Sequence, residues 1–337
     1  MSETFMAREI AEIPQVIERQ LARNRAATKA LGERLRANPP RHIVTSARGS
    51  SDCAAGYLKV LIELMLGQPV ASLGPSVSSV YRKKMDLSAS LFVTISQSGT
   101  SPDILAAQAA AKAAGALTVA LVNVESSPLA AEADVVLPLS AGEEKSVAAT
   151  KSVVAGFVAG AVLVAEWADD REFGKAIEQL PDALSAAAAV RWPEAVAQLI
   201  PARSVFLLGR GPTLPVAQEA ALKLKETCLI HAEAFSSAEF VHGPMELAGP
   251  TTPILVFQPD DAAAASTRAS IARIAATGAP ILQAGDGGGL SFAPTHDRRL
   301  DAISLLTSFY AVAEAVSRAK GRDPDKPRHV VKETSTL

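Results

Sequence analysis

The sequence predicts an α/β protein built as a tandem internal repeat, two three-layer αβα domains with parallel sheets. Three observations carry this. Short apolar runs of strand length alternate with helix-length stretches, which is how parallel strands joined by crossover helices read. RHIVTSARG and RSVFLLGRG begin at Arg41 and Arg203, an offset of 162 residues, and the same offset carries LFVTIS from Leu91 onto PILVFQ from Pro253. Gly115, before strand 117–122, matches Gly278 before PILQA at an offset of 163. Landmarks in register over this distance mean two copies of one unit. The boundary falls near residue 195, giving domains 1–195 and 196–337.

In order, the periodicity of Phe5, Ile10, Ile13, Val16, Ile17 and Leu21 predicts one helix over about 3–37, stopped by Pro39 and Pro40. Strands follow near 42–47, 69–73, 90–96, 117–122 and 134–138, with helices over 50–67 and 102–114. A long apolar helix is expected from about Ser146 to Ala168. The stretch 170–200 is helical and interrupted by Pro181, Pro193 and Pro201. The second copy then begins, and it ends in an apolar helix over about 300–319. The tail DPDKPRHVVKETSTL must run extended because its prolines forbid a helix; Val330 and Val331 are its candidate anchor.

Hydrophobic residues make up 48 % of the 337 residues and aromatics 4 %, with a net charge of −2. No basic surplus exists to hold nucleic acid or an anionic membrane, so any bound anion must be captured by a few local donors. The longest apolar run, Val153 to Ala165, is short for a membrane span. Two cysteines, Cys53 and Cys228, exclude a disulfide framework and a CxxC zinc site. The five histidines show no metal-ligand spacing, and Gly209-Arg210-Gly211 lacks the third glycine of a dinucleotide fingerprint. No metal and no cofactor are expected, and the location is expected to be cytoplasmic.

Two loops suit an anion. Ser96-Gln97-Ser98-Gly99-Thr100-Ser101 lies between a strand and a helix, with Ser101 at the N-cap and Pro102 at the first helical position. Such a turn aims hydroxyls and backbone N–H groups at one point. Arg48-Gly49-Ser50-Ser51, after the first strand, is the second. A capped turn without a ligand has the same composition, so the loops alone leave both readings open. The corresponding turn of the second copy is Gln258-Pro259-Asp260-Asp261, which repels anions, so a phosphate belongs to the first copy.

Glu219, Lys223 and Glu226 stand at i, i+4 and i+7, within roughly 60° of arc on a helix. A solvated ion-pair stripe is the bland alternative. The apolar residues around it (Val216, Ala220, Ala221, Leu222, Leu224) instead argue for a buried stripe, which is costly unless it serves chemistry. His242, in a His-Gly-Pro turn, is an acid–base candidate near neutral pH. Spacing alone assigns nothing to Lys332.

With SQSG at 96–99, VAATK at 147–151, EAALKLKE at 219–226, IHAEA at 230–234, HGP at 242–244 and the ending PRHVVK at 327–332, the chain resembles the double-SIS sugar isomerases. The resemblance is closest to the isomerase half of glucosamine-6-phosphate synthase. It implies that Ser51, Ser96, Gln97, Ser98 and Ser101 bind the phosphate of a sugar, with Ser50 beside them. Val147 and Glu219 would meet the sugar. Glu226 would shuttle a proton between C1 and C2, with Lys223 beside the reacting carbons. His242 would open the ring from the partner subunit of a homodimer, and Lys332 would reach the ketose carbonyl. Arg48 stands where that synthase has a small residue or cysteine, and Ala149 replaces a serine. Because the chain opens Met1-Ser2 and then a helix, no glutaminase segment is expected within it. The expected reaction is glucosamine 6-phosphate to fructose 6-phosphate and ammonia. Aldose–ketose isomerisation, amination with free ammonia, and a sugar-phosphate sensor are the alternatives. The sensor is disfavoured by the lack of a DNA-binding segment.

Overall fold

The computed structural model describes residues 3–332. They form two compact units, each around one parallel sheet. The N-terminal-sheet unit comprises Gln15–Glu144, Lys151–Glu178, Val331 and Lys332, and the C-terminal-sheet unit comprises 3–14, Lys145–Thr150 and Gln179–Val330. The C-terminal-sheet unit also takes in 3–14, 145–150 and 179–195, which precede the boundary expected near residue 195.

The first sheet contains β1 (Ile43–Ser46), β2 (Val70–Ser72), β3 (Leu91–Ser96), β4 (Leu117–Val122) and β5 (Val135–Pro138), in the order β2-β1-β3-β4-β5. All pairs are parallel, with Ser46 opposite Thr94. Strands β1 and β3 are buried throughout, as continuous apolar runs in a covered sheet must be. The second sheet contains β6 (Ser204–Gly209), β7 (His231–Ser236), β8 (Ile254–Gln258) and β9 (Ile281–Gly285), in the order β7-β6-β8-β9. Both sheets start in the middle, step outward once, and then build the other way, so the repeat read from the sequence is a repeat of topology. Strand β7 is an element that periodicity did not reveal: its burial is mixed, and it lies at the sheet edge.

Two helices differ from expectation. The N-terminal segment is two helices, Phe5–Ala11 and Ile13–Ala37, that belong to different units. Pro14 explains the break, because it has no N–H to continue the preceding helix and is at home only in the first turn of a new one. The apolar helix starts at Lys151, five residues later than expected, and runs to Ala168. The skipped segment has tertiary partners for its backbone: the N–H groups of Lys145 and Ser146 donate to the Glu9 carboxylate, and the Val147 N–H to the Asp325 carbonyl. Helix Lys151–Ala168 is apolar and long enough to cross a bilayer, but 83 % of it is buried in the fold. Gly156 and Gly160 let it lie against Ala54 and Leu58 of helix Ser50–Leu66, and Phe157 stacks on Tyr57 at 4.8 Å between centroids. That contact fixes the helix whose first turn carries Ser50 and Ser51.

Candidate active site

In a sheet of this order, β1 and β3 lead their connections to opposite sides, and the crevice between their carboxyl ends is where ligands bind in open α/β sheets. Both anion-suited loops leave the sheet there. Gly49, with φ +55° and ψ −132°, turns the chain from β1 into helix Ser50–Leu66, and a Cβ at this position would meet nothing within 4 Å. After β3, the Ser96 hydroxyl accepts the Gly99 N–H at 3.0 Å, and Gly99 adopts φ +68°. A side chain at Gly99 would collide with Ser127, so the turn in this geometry depends on glycine. The Ser98 hydroxyl accepts from the Thr100 N–H and hydroxyl at 3.3 and 2.9 Å. Ser101 occupies the N-cap of helix Pro102–Ala113 without a side-chain capping bond. Ser50, Ser51, Gln97, Ser98 and Ser101 are all half-buried at this edge. The structure therefore brings the predicted phosphate residues together.

Asp103, in the first turn of helix Pro102–Ala113, is buried and had no role in the sequence reading. Its Oδ2 accepts from Arg48 Nε at 3.0 Å and Nη2 at 2.8 Å. In the same unit, Lys332 Nζ lies 3.1 Å from Glu144, whose side chain has no exposed surface. Ser152 supports that carboxylate through its N–H at 3.1 Å and its hydroxyl at 2.6 Å.

In the C-terminal-sheet unit the charged stripe is buried. Lys223 Nζ lies 3.5 Å from Glu219 and 2.5 Å from Glu226, and the three side chains are 1 %, 0 % and 18 % exposed. Glu219 is wholly enclosed and also accepts the Tyr310 hydroxyl at 3.1 Å. A solvated surface stripe is thus excluded. Glu226 is not in the α-helix, which ends at Lys223, but in a π-helical turn, Leu224–Cys228. The turn closes on Leu229 at φ +52°, a left-handed angle that costs a leucine about 1 kcal/mol or more. Helix Asp301–Ala319 holds it in place: the Ser317 hydroxyl donates to the Thr227 carbonyl at 2.9 Å, and Cys228 Sγ reaches the Ala313 carbonyl at 3.4 Å. Single π turns and strained non-glycine residues concentrate at functional positions. Glu226, Thr227 and Leu229 line a 170 Å³ cavity together with Arg322, Lys326 and Arg328.

Val147 lies in the segment clamped by Glu9 and Asp325. Asp325 also receives the N–H groups of Phe5 and Met6 at 2.7 and 2.8 Å, so both ends of the chain converge on this segment. Asp325, 8 % exposed, anchors the tail; Val330 and Val331 do not, being 41 % and 63 % exposed. His242 is exposed, in the turn before the short 3₁₀ helix Pro244–Leu247, and its side chain makes no hydrogen bond among the described residues. Cys53 and Cys228 are buried thiols outside any disulfide, and burial pushes the Cys228 thiol up to about 11. Among the described residues no group of three or more His, Cys, Asp or Glu is placed to hold a metal ion.

Two parallel-sheet units of matching topology, the first with a hydroxyl-lined turn after β3, define a tandem α/β protein. The chain belongs to the SIS domain family, whose model matches residues 38–166 and 198–302. The resemblance read from the motifs is borne out. A glutamine–fructose-6-phosphate aminotransferase (isomerizing) from Bradyrhizobium diazoefficiens is 32 % identical over 97 % of this chain, and one from Thermococcus kodakarensis is also 32 % identical over 97 %. The chain spans 58 % and 57 % of their lengths. A Silicibacter pomeroyi structure bearing the name phosphosugar isomerase is 43 % identical with a TM-score of 0.90, covering 96 % of this chain and 100 % of that one. A glucosamine-6-phosphate deaminase from Thermotoga maritima shares the fold, with a TM-score of 0.75 at 21 % identity, covering 95 % and 99 %.

Proposed function

We propose that this chain is an enzyme that converts glucosamine 6-phosphate to fructose 6-phosphate and ammonia. The observation that carries the reading is the Glu226 carboxylate, partly open, on a π turn and held by a buried lysine. The phosphate is bound by Ser50, Ser51, Ser96, Gln97, Ser98 and Ser101. His242 opens the ring, leaving an aldehyde at C1 and an amine at C2. Glu226 takes the proton from C2 and returns it to C1 while a second proton passes from the C2 nitrogen to O1, so the C1 carbonyl becomes a hydroxymethyl group and C2 becomes an imine. Water adds to the imine, and ammonia leaves from C2. Such chemistry needs a positioned base, an acid and electrostatic support for the enolate oxygen. Lys223 is suited to the last role, and Lys332 to the ketose carbonyl. Val147 and Glu219 complete the sugar side of the proposed site.

The exposed and unengaged His242 supports a homodimer in which this side chain serves the partner subunit. Two buried cysteines outside any disulfide suit a reducing cytoplasm. Aldose–ketose isomerisation would use the same base and differs in its product, so ammonia release separates the two. Purified protein incubated with glucosamine 6-phosphate should release ammonia, and Glu226→Gln should lower kcat by about a hundredfold or more while substrate still binds. Binding without turnover in the unmodified protein would make it a sensor, and no ammonia at any pH would eliminate the deaminase.

A further inference from the structure

Arg48 is the residue at the phosphate loops that the proposed chemistry does not use. Its guanidinium is held at two points by one oxygen of Asp103, through Nε and Nη2, while Nη1 has no partner among the described residues. Asp103 belongs to the first turn of helix Pro102–Ala113, so the guanidinium sits against the very helix start whose N-cap hydroxyl, Ser101, makes no capping bond. Strands β1 and β3 are neighbours, which puts Arg48 and the Ser96–Ser101 loop on one edge of the sheet. The side chain is 50 % exposed and its partner 2 %, so the buried carboxylate fixes the orientation of a cation that still faces outward.

Charge explains why a cation belongs there. Each of the two helices that begin at this edge has an aspartate in its first turn, Asp52 and Asp103. Carboxylates suit a helix N-terminus, but they oppose a second anion at the same place. Burial pushes the Asp52 carboxyl up, and the nearby Arg48 charge pulls it back. A phosphate dianion entering between these helices meets like charges unless Arg48 offsets them. Guanidinium is fitted to this double duty, because its planar fork can hold a carboxylate on one edge and an anionic oxygen on another.

We propose that Arg48 is a phosphate-binding residue of this site, oriented by Asp103, and that it makes the site selective for doubly charged phosphate esters. The proposal rests on the reading of the Ser50–Ser51 and Ser96–Ser101 loops as the phosphate site, and the test separates the two. The dissociation constants of glucose 6-phosphate and of glucose 6-sulfate, its singly charged analogue, are measured by calorimetry at pH 7.5. The unmodified chain, Arg48→Ala, Arg48→Gln and the loop variant Ser98→Ala are compared, each checked for native circular dichroism. The unmodified chain should prefer the phosphate. Either Arg48 variant should bind it about ten- to a hundredfold more weakly and lose most of the preference over the sulfate. In turnover the loss should appear in KM rather than in kcat. If both Arg48 variants bind glucose 6-phosphate as the unmodified chain does while Ser98→Ala does not, the loops bind phosphate and the role given to Arg48 is wrong. If Ser98→Ala also binds unchanged, or the unmodified chain binds neither ester, the loop reading fails and takes this proposal with it.

Discussion

Lys332 and Glu144, 188 residues apart, form an ion pair of 3.1 Å in which the carboxylate has no exposed surface and the ammonium is 27 % exposed. Ser152 supplies two further hydrogen bonds to that carboxylate, so the lysine near the end of the chain is held by a prebuilt acceptor. Glu144→Gln should preserve the shape of this acceptor but remove its charge. We expect kcat for glucosamine 6-phosphate to fall about tenfold or more, with a small change in the urea midpoint. Unchanged turnover would reduce the pair to packing.

Lys223 pairs with both Glu219 and Glu226, at 3.5 and 2.5 Å, in a setting almost closed to solvent. Removing one partner of a buried ionic group leaves the rest uncompensated, at a cost of about 3–5 kcal/mol. Lys223→Met should show a loss of this size in urea denaturation, with turnover abolished. Glu219→Gln leaves Lys223 paired with Glu226 and should cost less.

Gly99 and Gly49 both have positive φ but different surroundings. At Gly49 an added Cβ meets nothing within 4 Å, whereas at Gly99 it strikes Ser127. Gly49→Ala should therefore cost only the backbone strain of a sparsely populated conformation, on the order of 1–3 kcal/mol. Gly99→Ala should cost more and also displace the loop, so its glucose 6-phosphate affinity should fall sharply. Equal effects in calorimetry and denaturation would contradict this geometry.

Asp134 reports on acid stability in the first sheet. Burial raises its carboxyl, but the N–H and hydroxyl of Thr118 and the Lys112 ammonium outweigh burial and leave it below 3.8. A folded pKa below the unfolded one contributes stability above the unfolded pKa, and this is lost as pH falls through the folded pKa. The unmodified chain should be more stable than Asp134→Asn by about 1 kcal/mol above roughly pH 5. The gap should close as pH falls below the ordinary carboxylate range and both states become protonated. A gap that widens on acidification would show the sign to be wrong.

Much of the fold was legible because it is written locally. Strand and helix runs, Gly115 against Gly278, and the offset of Arg41 and Arg203 needed only periodicity and repetition. The stripe of Glu219, Lys223 and Glu226 was visible as spacing, and the serine-rich loop as composition. The burial that the stripe's apolar neighbours implied is found at Glu219 and Lys223; what no local pattern announced is the displacement of Glu226 onto a π turn.

Residue order along a few strands and turns already specifies two copies of a parallel α/β unit and which copy has hydroxyls, not carboxylates, at its switch point. Tertiary structure decided the partners: Asp103 for Arg48, Glu144 for Lys332, Glu9 and Asp325 for the backbone of 145–147. Those contacts join residues tens to hundreds of positions apart. Their energy comes from hydrogen bonds and charge in places that the folded chain alone creates, so no local pattern announces them.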